Sequence, residues 1–163
     1  MKVVIWLTEG TWPACVGAAR WVPADADVEL LFVVDDDIAA TASGAHAGLI
    51  GRGTHGDPGG QVAALSAVAA DELLASAAQA LGRPAARTRR HGRVEHEVVE
   101  ASAGADLLVC ARDGERSRLG PHSLGPATRF VVDHAPCRVL LVWPGPPPGI
   151  ESMQHPPHPP HHR

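Results

Sequence analysis

The sequence predicts a single α/β domain built on an open, doubly wound, five-stranded parallel sheet with helices on both faces. Three observations predict it. Short apolar runs rich in β-branched residues recur along the chain, as strands covered on both faces require. Stretches with helical apolar spacing alternate with those runs. Strand, helix, strand at this pitch is the signature of parallel pairing through crossover helices.

In chain order, Val3-Val4-Ile5-Trp6-Leu7 is the first strand. Residues 12 to 22 form a helix carrying Cys15, Val16, Ala19 and Val22, which Pro23 ends. Val28 to Val34 is the second strand and stops at Asp35-Asp36-Asp37. Residues 38 to 60, rich in glycine and alanine, are a connection with one short helical turn around Ala45 to Ile50. The longest periodic element follows, its stripe running through Val62, Leu65, Ala69, Leu73, Ala77 and Leu81 before Gly82 and Pro84 stop it. Ala85 to Arg90 is the third strand, Arg93 to Ser102 a short helix, and Asp106 to Cys110 the fourth strand. Pro126 to His134 is a helix with proline in its first turn, and Arg138 to Trp143 is the fifth strand. From residue 144 to 163 the composition turns to proline, glycine and histidine, which builds no core and reads as a disordered tail on a domain of residues 1 to 143. In a polyproline II conformation His155, His158 and His161 would share one edge, a spacing that suits transition metals at an entropic cost.

A length of 163 residues and 45% hydrophobic content allow one well-filled core. The apolar runs are expected to be too short to cross a bilayer, and the amino terminus does not read as a signal peptide, so a cytoplasmic protein without a membrane is expected. Three cysteines at wide spacing, Cys15, Cys110 and Cys137, fit buried thiols better than a disulfide framework or a zinc knuckle. A net charge of −4 argues against nucleic acid as a partner. The arginines at 83, 87, 89, 90 and 93 have no aromatic residue among them for base stacking and read as a charged edge strand that resists aggregation.

Ligands of open parallel sheets bind at the carboxyl ends of the strands, near the point where the winding reverses. Three segments converge there: Glu9-Gly10-Thr11, Asp35-Asp36-Asp37, and the loop Ala111 to Gly125. That loop holds Gly114, Gly120 and Gly125 with Arg112, Arg116 and Arg118, and runs into a helix start. Glycines that turn N–H groups inward and a helix amino terminus together suit a phosphate chain.

Asp106-Leu-Leu-Val-Cys-Ala-Arg-Asp-Gly114, Gly125 and Val131-Val-Asp-His-Ala-Pro-Cys-Arg-Val-Leu-Leu-Val142 resemble the closing half of a universal stress protein, with His134-Ala135-Pro136-Cys137 matching in full. Glu9-Gly10-Thr11 stands where that family has Asp-Gly-Ser, and the resemblance spans residues 2 to 143. It implies strand order 3-2-1-4-5, a homodimer through the fifth strand and, in one branch, bound ATP, with magnesium as a companion ion. Carried over residue by residue, it implies a nucleotide site of Leu7, Glu9, Val33, Ala111, Arg112, Gly114, Gly125, Ala127 and Thr128.

This chain departs from the family pattern at three points. Ala111 replaces the first glycine, the interval from Gly114 to Gly125 is one residue longer, and Pro126 takes the place of Ser or Thr. Proline has neither N–H nor hydroxyl, and one lost donor to a charged oxygen costs about 1.5 to 3 kcal/mol. Weak binding of ATP or another adenine nucleotide is therefore expected.

Other readings are weaker. Gly51-Arg-Gly53-Thr-His-Gly56 spells a dinucleotide pattern outside any tight strand-to-helix turn. Asp35, Asp36 and Asp37 with Glu9 suggest a magnesium site of phospho-receiver type, but the sole lysine is Lys2, and a solvated loop or helix cap fits better. Cys15, His122 and His134 lack a base and an orienting group, so the chain is expected not to be an enzyme, with slow ATP hydrolysis left open. The alternative to a nucleotide-responsive module is a nucleotide-free dimer acting through protein partners.

Overall fold

A computed structural model of the chain describes residues 1–36 and 58–153, with side chains from residue 64 in the second stretch. The elements are β1 (Lys2–Leu7), α1 (Trp12–Gly17), β2 (Asp27–Asp35), α2 (Pro58–Leu81), β3 (Ala86–Gly92), α3 (Val94–Ala101), β4 (Leu107–Ala111), α4 (Pro126–His134) and β5 (Arg138–Val142). All strand pairs are parallel and the order is β3-β2-β1-β4-β5. The doubly wound architecture expected from the sequence is the one formed. The turn around residues 45–50, the Gly51–Gly56 pattern, Asp37 and the tail histidines lie outside the described residues.

Burial explains why the central strands need apolar residues on both sides. Val3, Ile5 and Leu7 pack with Val28, Leu30 and Val109 under Cys15, Val16, Leu74 and Ala77. Val4, Trp6, Leu31, Val33, Leu108 and Cys110 pack on the opposite face against Val98, Ala101 and Val131. The continuous run Val3–Leu7 is thus split residue by residue between two cores, as the pleat dictates.

Two expectations change in detail. The first helix is shorter than residues 12 to 22: α1 stops at Gly17 and Ala18–Trp21 continues as a 3-10 turn. In α2 the expected stripe holds at Ala77, which is buried, and at Leu73 and Leu81, which pack against the core, but Ala70 and Leu74 are buried in place of Leu65 and Ala69, and Leu65 is 70% exposed. Alanine is spread all around this helix, so periodicity alone selected the face only in its second half. The same alanine content makes Ala64–Leu81 long and apolar enough, by length and composition, to cross a membrane, which corrects the expectation that no run approaches that length. In the fold its buried stripe packs on the face of the sheet that carries Val3, Ile5 and Leu7.

The basic segment forms edge strand β3, and its charges are largely matched. Arg89 pairs with Asp71 at 2.9 Å, Arg90 with Glu97 at 3.3 Å, and Arg93 with Glu95 at 2.7 Å. Leu74, 3% exposed, anchors α2. Leu74→Ala should cost about 2–5 kcal/mol in urea unfolding, and Leu65→Ala less than about 0.5 kcal/mol. Equal losses would misplace the buried face.

Candidate functional site

The reversal of winding lies between β1 and β4. Ile5 pairs with Val109, so Leu7 and Ala111, each two residues further on, bring their strands to the carboxyl edge side by side. Leu7 is 1% exposed and Ala111 7%. The chain leaves β1 through a closed turn in which Thr11 and Trp12 N–H groups both donate to the Thr8 carbonyl, at 3.3 and 3.0 Å. Gly10 has φ 77°, the left-handed conformation the turn requires. The Thr8 and Thr11 hydroxyls hydrogen-bond to each other beneath it, and Glu9 is exposed at its tip.

After β4 the loop doubles back on itself. The Gly114 N–H donates to the Ser123 carbonyl at 3.0 Å and the Glu115 N–H to the His122 carbonyl at 2.8 Å. The two segments approach so closely that a Cβ on Gly114 would lie 2.3 Å from the His122 carbonyl oxygen. Arg112 donates to the Ser123 hydroxyl, which in turn donates to the Gly120 carbonyl at 2.7 Å, and its guanidinium sits 4.8 Å above the Trp143 ring. Arg129 donates to the Pro121 carbonyl at 2.6 Å. The loop ends at Gly125, whose N–H donates to Asp113 Oδ1 at 2.7 Å as α4 begins. A 3-10 turn, Ile150–Ser152, braces this loop from outside, because Ser152 Oγ accepts the Leu119 N–H at 3.0 Å. The segment expected to be a structureless tail from residue 144 therefore packs on the domain at least as far as Ser152.

At the other end of α4, the His134 ring stacks on Phe130 with centroids 3.9 Å apart, and its Nδ1 lies 2.8 Å from the Phe130 carbonyl. Ala135 and Pro136 then turn the chain directly into β5.

This arrangement agrees with what comparison finds. The model of the universal stress protein family matches residues 17–142. The chain belongs to the universal stress protein family. Among solved structures, a universal stress protein in complex with cAMP is 16% identical, with a TM-score of 0.57 over 89% of this chain and 98% of that one. A family protein from Arabidopsis thaliana with AMP bound is also 16% identical, with a TM-score of 0.51 over 94% and 96%. UspA from Lactobacillus plantarum is 21% identical, with a TM-score of 0.50 over 87% and 97%. At these identities the likeness is one of fold. No curated protein sequence matches significantly.

In this universal stress protein the expected site residues fall into groups. Leu7 and Ala111 meet at the carboxyl edge, and Glu9 stands on the turn above it. Gly114 and Gly125 lie in the loop, and Ala127 and the buried Thr128 in the first turn of α4. Val33 sits one strand away with its side chain in the other core, and Arg112 turns toward Ser123 and Trp143. The glycines act differently than expected. Neither Gly114 nor Gly125 has positive φ, so neither is needed to turn an N–H inward. Gly114 is required by the backbone crossing beside it, whereas a Cβ on Gly125 would lie 2.9–3.0 Å from the Asp113 carboxyl group, a side chain that can move aside.

Asp113, Ser123, Trp143 and Ser152 were not singled out by sequence reasoning. One question would have found Asp113: which group caps α4, when its N-cap Gly125 has no side chain and its first turn no acid.

The two buried thiols are poor nucleophiles. Burial pushes the Cys15 and Cys110 thiols up to about 12, where they stay protonated and unreactive. His122 is exposed on the loop, and His134 is held by Phe130. Among the described residues no group of three or more His, Cys, Asp or Glu could hold a metal ion. Of the acidic residues considered above for magnesium, Asp37 lies outside the described residues, and Asp36 lies 3.8 Å from the His91 imidazole.

Gly114→Ala should cost about 1–3 kcal/mol by forcing the crossing apart, whereas Gly145→Ala, which meets open space, should be near neutral, as read by thermal melting. The raised thiols stabilise the fold below the unfolded-state value of 9.0, and that contribution is lost as pH rises toward about 12. Cys15→Ala should flatten this alkaline loss. A native-state thiol titration at pH 8 should find Cys15 and Cys110 unreactive.

Proposed function

We propose that this universal stress protein is a dimeric, non-enzymatic module that binds an adenine nucleotide at the carboxyl edge between β1 and β4, in a cytoplasmic setting where such nucleotides are available. One observation carries the reading. The turn after β1, the loop after β4 and the amino end of α4 stand together where the winding of the sheet reverses, the place where open parallel sheets take ligands. Two structural neighbours hold cAMP and AMP, which supports an adenine nucleotide in particular. Leu7 and Ala111 supply an apolar floor, Glu9 a carboxylate for sugar or base, and the Ala127 and Thr128 N–H groups the positive end of a helix. Pro126 withdraws one donor from that end, so ATP is bound weakly, with magnesium entering only alongside its phosphates.

The dimer forms through β5, which pairs with β4 on one side only and carries Val139 to Val142, all partly buried. An apolar edge of this kind pairs with a copy of itself across a two-fold axis.

A second reading, a nucleotide-free dimer acting through protein partners, is favoured by one observation. The Gly114, Glu115 and Gly125 N–H groups already have acceptors within the chain.

Calorimetry separates the two. Adenine nucleotide should bind with a Kd between roughly tens of micromolar and a millimolar, and Pro126→Ser should tighten ATP by up to about tenfold. No heat from AMP, ATP or cAMP with either protein would select the partner module. Light scattering at micromolar concentration should give twice the protomer mass, and a monomer would remove the β5 interface.

A further inference from the structure

The structure assigns Asp113 as a specificity-determining residue that turns the site against extended phosphate chains and toward nucleotides with one phosphate. This rests on the adenine-nucleotide reading above and deepens it.

The carboxylate of Asp113 takes the place an oxyanion would take at the start of α4. Its Oδ1 accepts the Gly125 N–H at 2.7 Å. It is seated so closely on that residue that all three carboxyl atoms would lie within 2.9–3.0 Å of a Cβ there. Gly125 is the N-cap of α4 and brings no side chain, Pro126 has no N–H, and the first turn of α4 holds no acid. Asp113 is therefore the anion seated at this helix end, holding its N-cap N–H from twelve residues upstream.

The surrounding cations do not neutralise it. Arg112 is committed to Ser123 and Trp143, Arg118 to Glu115, and Arg129 to the Pro121 and Leu124 carbonyls. Among the described residues Asp113 has no ion-pair partner, and Arg116 is the loop arginine without an ion pair or hydrogen bond. A phosphate chain running along this loop would meet the exposed Asp113 carboxylate, which already holds the Gly125 N–H beside the Ala127 and Thr128 donors. Like charges brought together in this way lose affinity, and the loss grows with the charge of the chain. The edge formed by Leu7 and Ala111 lies back toward the strands, so a nucleoside with one phosphate need not displace Asp113.

The test titrates AMP, ATP and inorganic tripolyphosphate into the native full-length protein, Asp113→Asn and Asp113→Glu. Asparagine keeps an acceptor for the Gly125 N–H while removing the charge; glutamate keeps the charge. Native protein and Asp113→Glu should prefer AMP to ATP. Asp113→Asn should bind ATP and tripolyphosphate about tenfold tighter, with AMP changed by less than about threefold. A shared melting temperature within a few degrees establishes that all three fold, and if Asp113→Asn melts early the native-to-glutamate comparison still reads the preference. Equal gains for AMP and ATP, or no gain for ATP and tripolyphosphate, overturn the assignment even if AMP binds. A tripolyphosphate gain with no adenine nucleotide bound by any variant upholds the charge role of Asp113 and overturns only the adenosine reading.

Discussion

The rest of this structure depends on the burial of β1 from both faces and both edges. Five successive residues, Val3 to Leu7, are essentially inaccessible, and the strand is hydrogen-bonded to β2 on one side and β4 on the other. A strand in that position must have helices above and below it, so the chain winds outward in both directions from it. The reversal of winding between the carboxyl ends of β1 and β4 follows from this topology and requires no specialised side chain. The turn after β1 and the loop after β4 are what rim it.

The loop after β4 is where this member of the family acquires its own character. Its glycines suggest an open phosphate cradle, but in the fold they permit two backbone segments to cross and a carboxylate to sit on the helix start. A phosphate loop with free donors is pre-organised for anions, whereas one that satisfies its own donors is pre-organised for itself. Pro126 and Asp113 act in the same direction, one by lacking a donor and the other by occupying one. The brace from Ser152 to Leu119 adds rigidity to the closed form.

Much of the fold was legible because apolar runs such as Leu107–Ala111 and Val139–Val142 are too short for buried helices and alternate with helical stretches. The start at Pro126 was equally plain, since proline acts on the backbone locally. The buried face of α2 was legible only around Leu73, Ala77 and Leu81, because a helix with alanine on every side offers little periodic contrast to read. Asp113 was overlooked for a different reason. Its partner is twelve residues away, and the loop that brings them together is set by the Gly114 crossing, a contact invisible to local pattern. The docked turn at Ile150–Ser152 was hidden in the same way by a proline-rich context that reads as unstructured.

The claim on which the account turns is that a ligand enters between β1 and β4 rather than elsewhere on the sheet. Amide chemical-shift mapping of the labelled protein during addition of AMP tests it most directly. Shifts confined to Thr8–Trp12, Ala111–Gly114 and Gly125–Thr128 are the predicted result. Shifts concentrated on β3 or α3, or none at millimolar AMP, would contradict it.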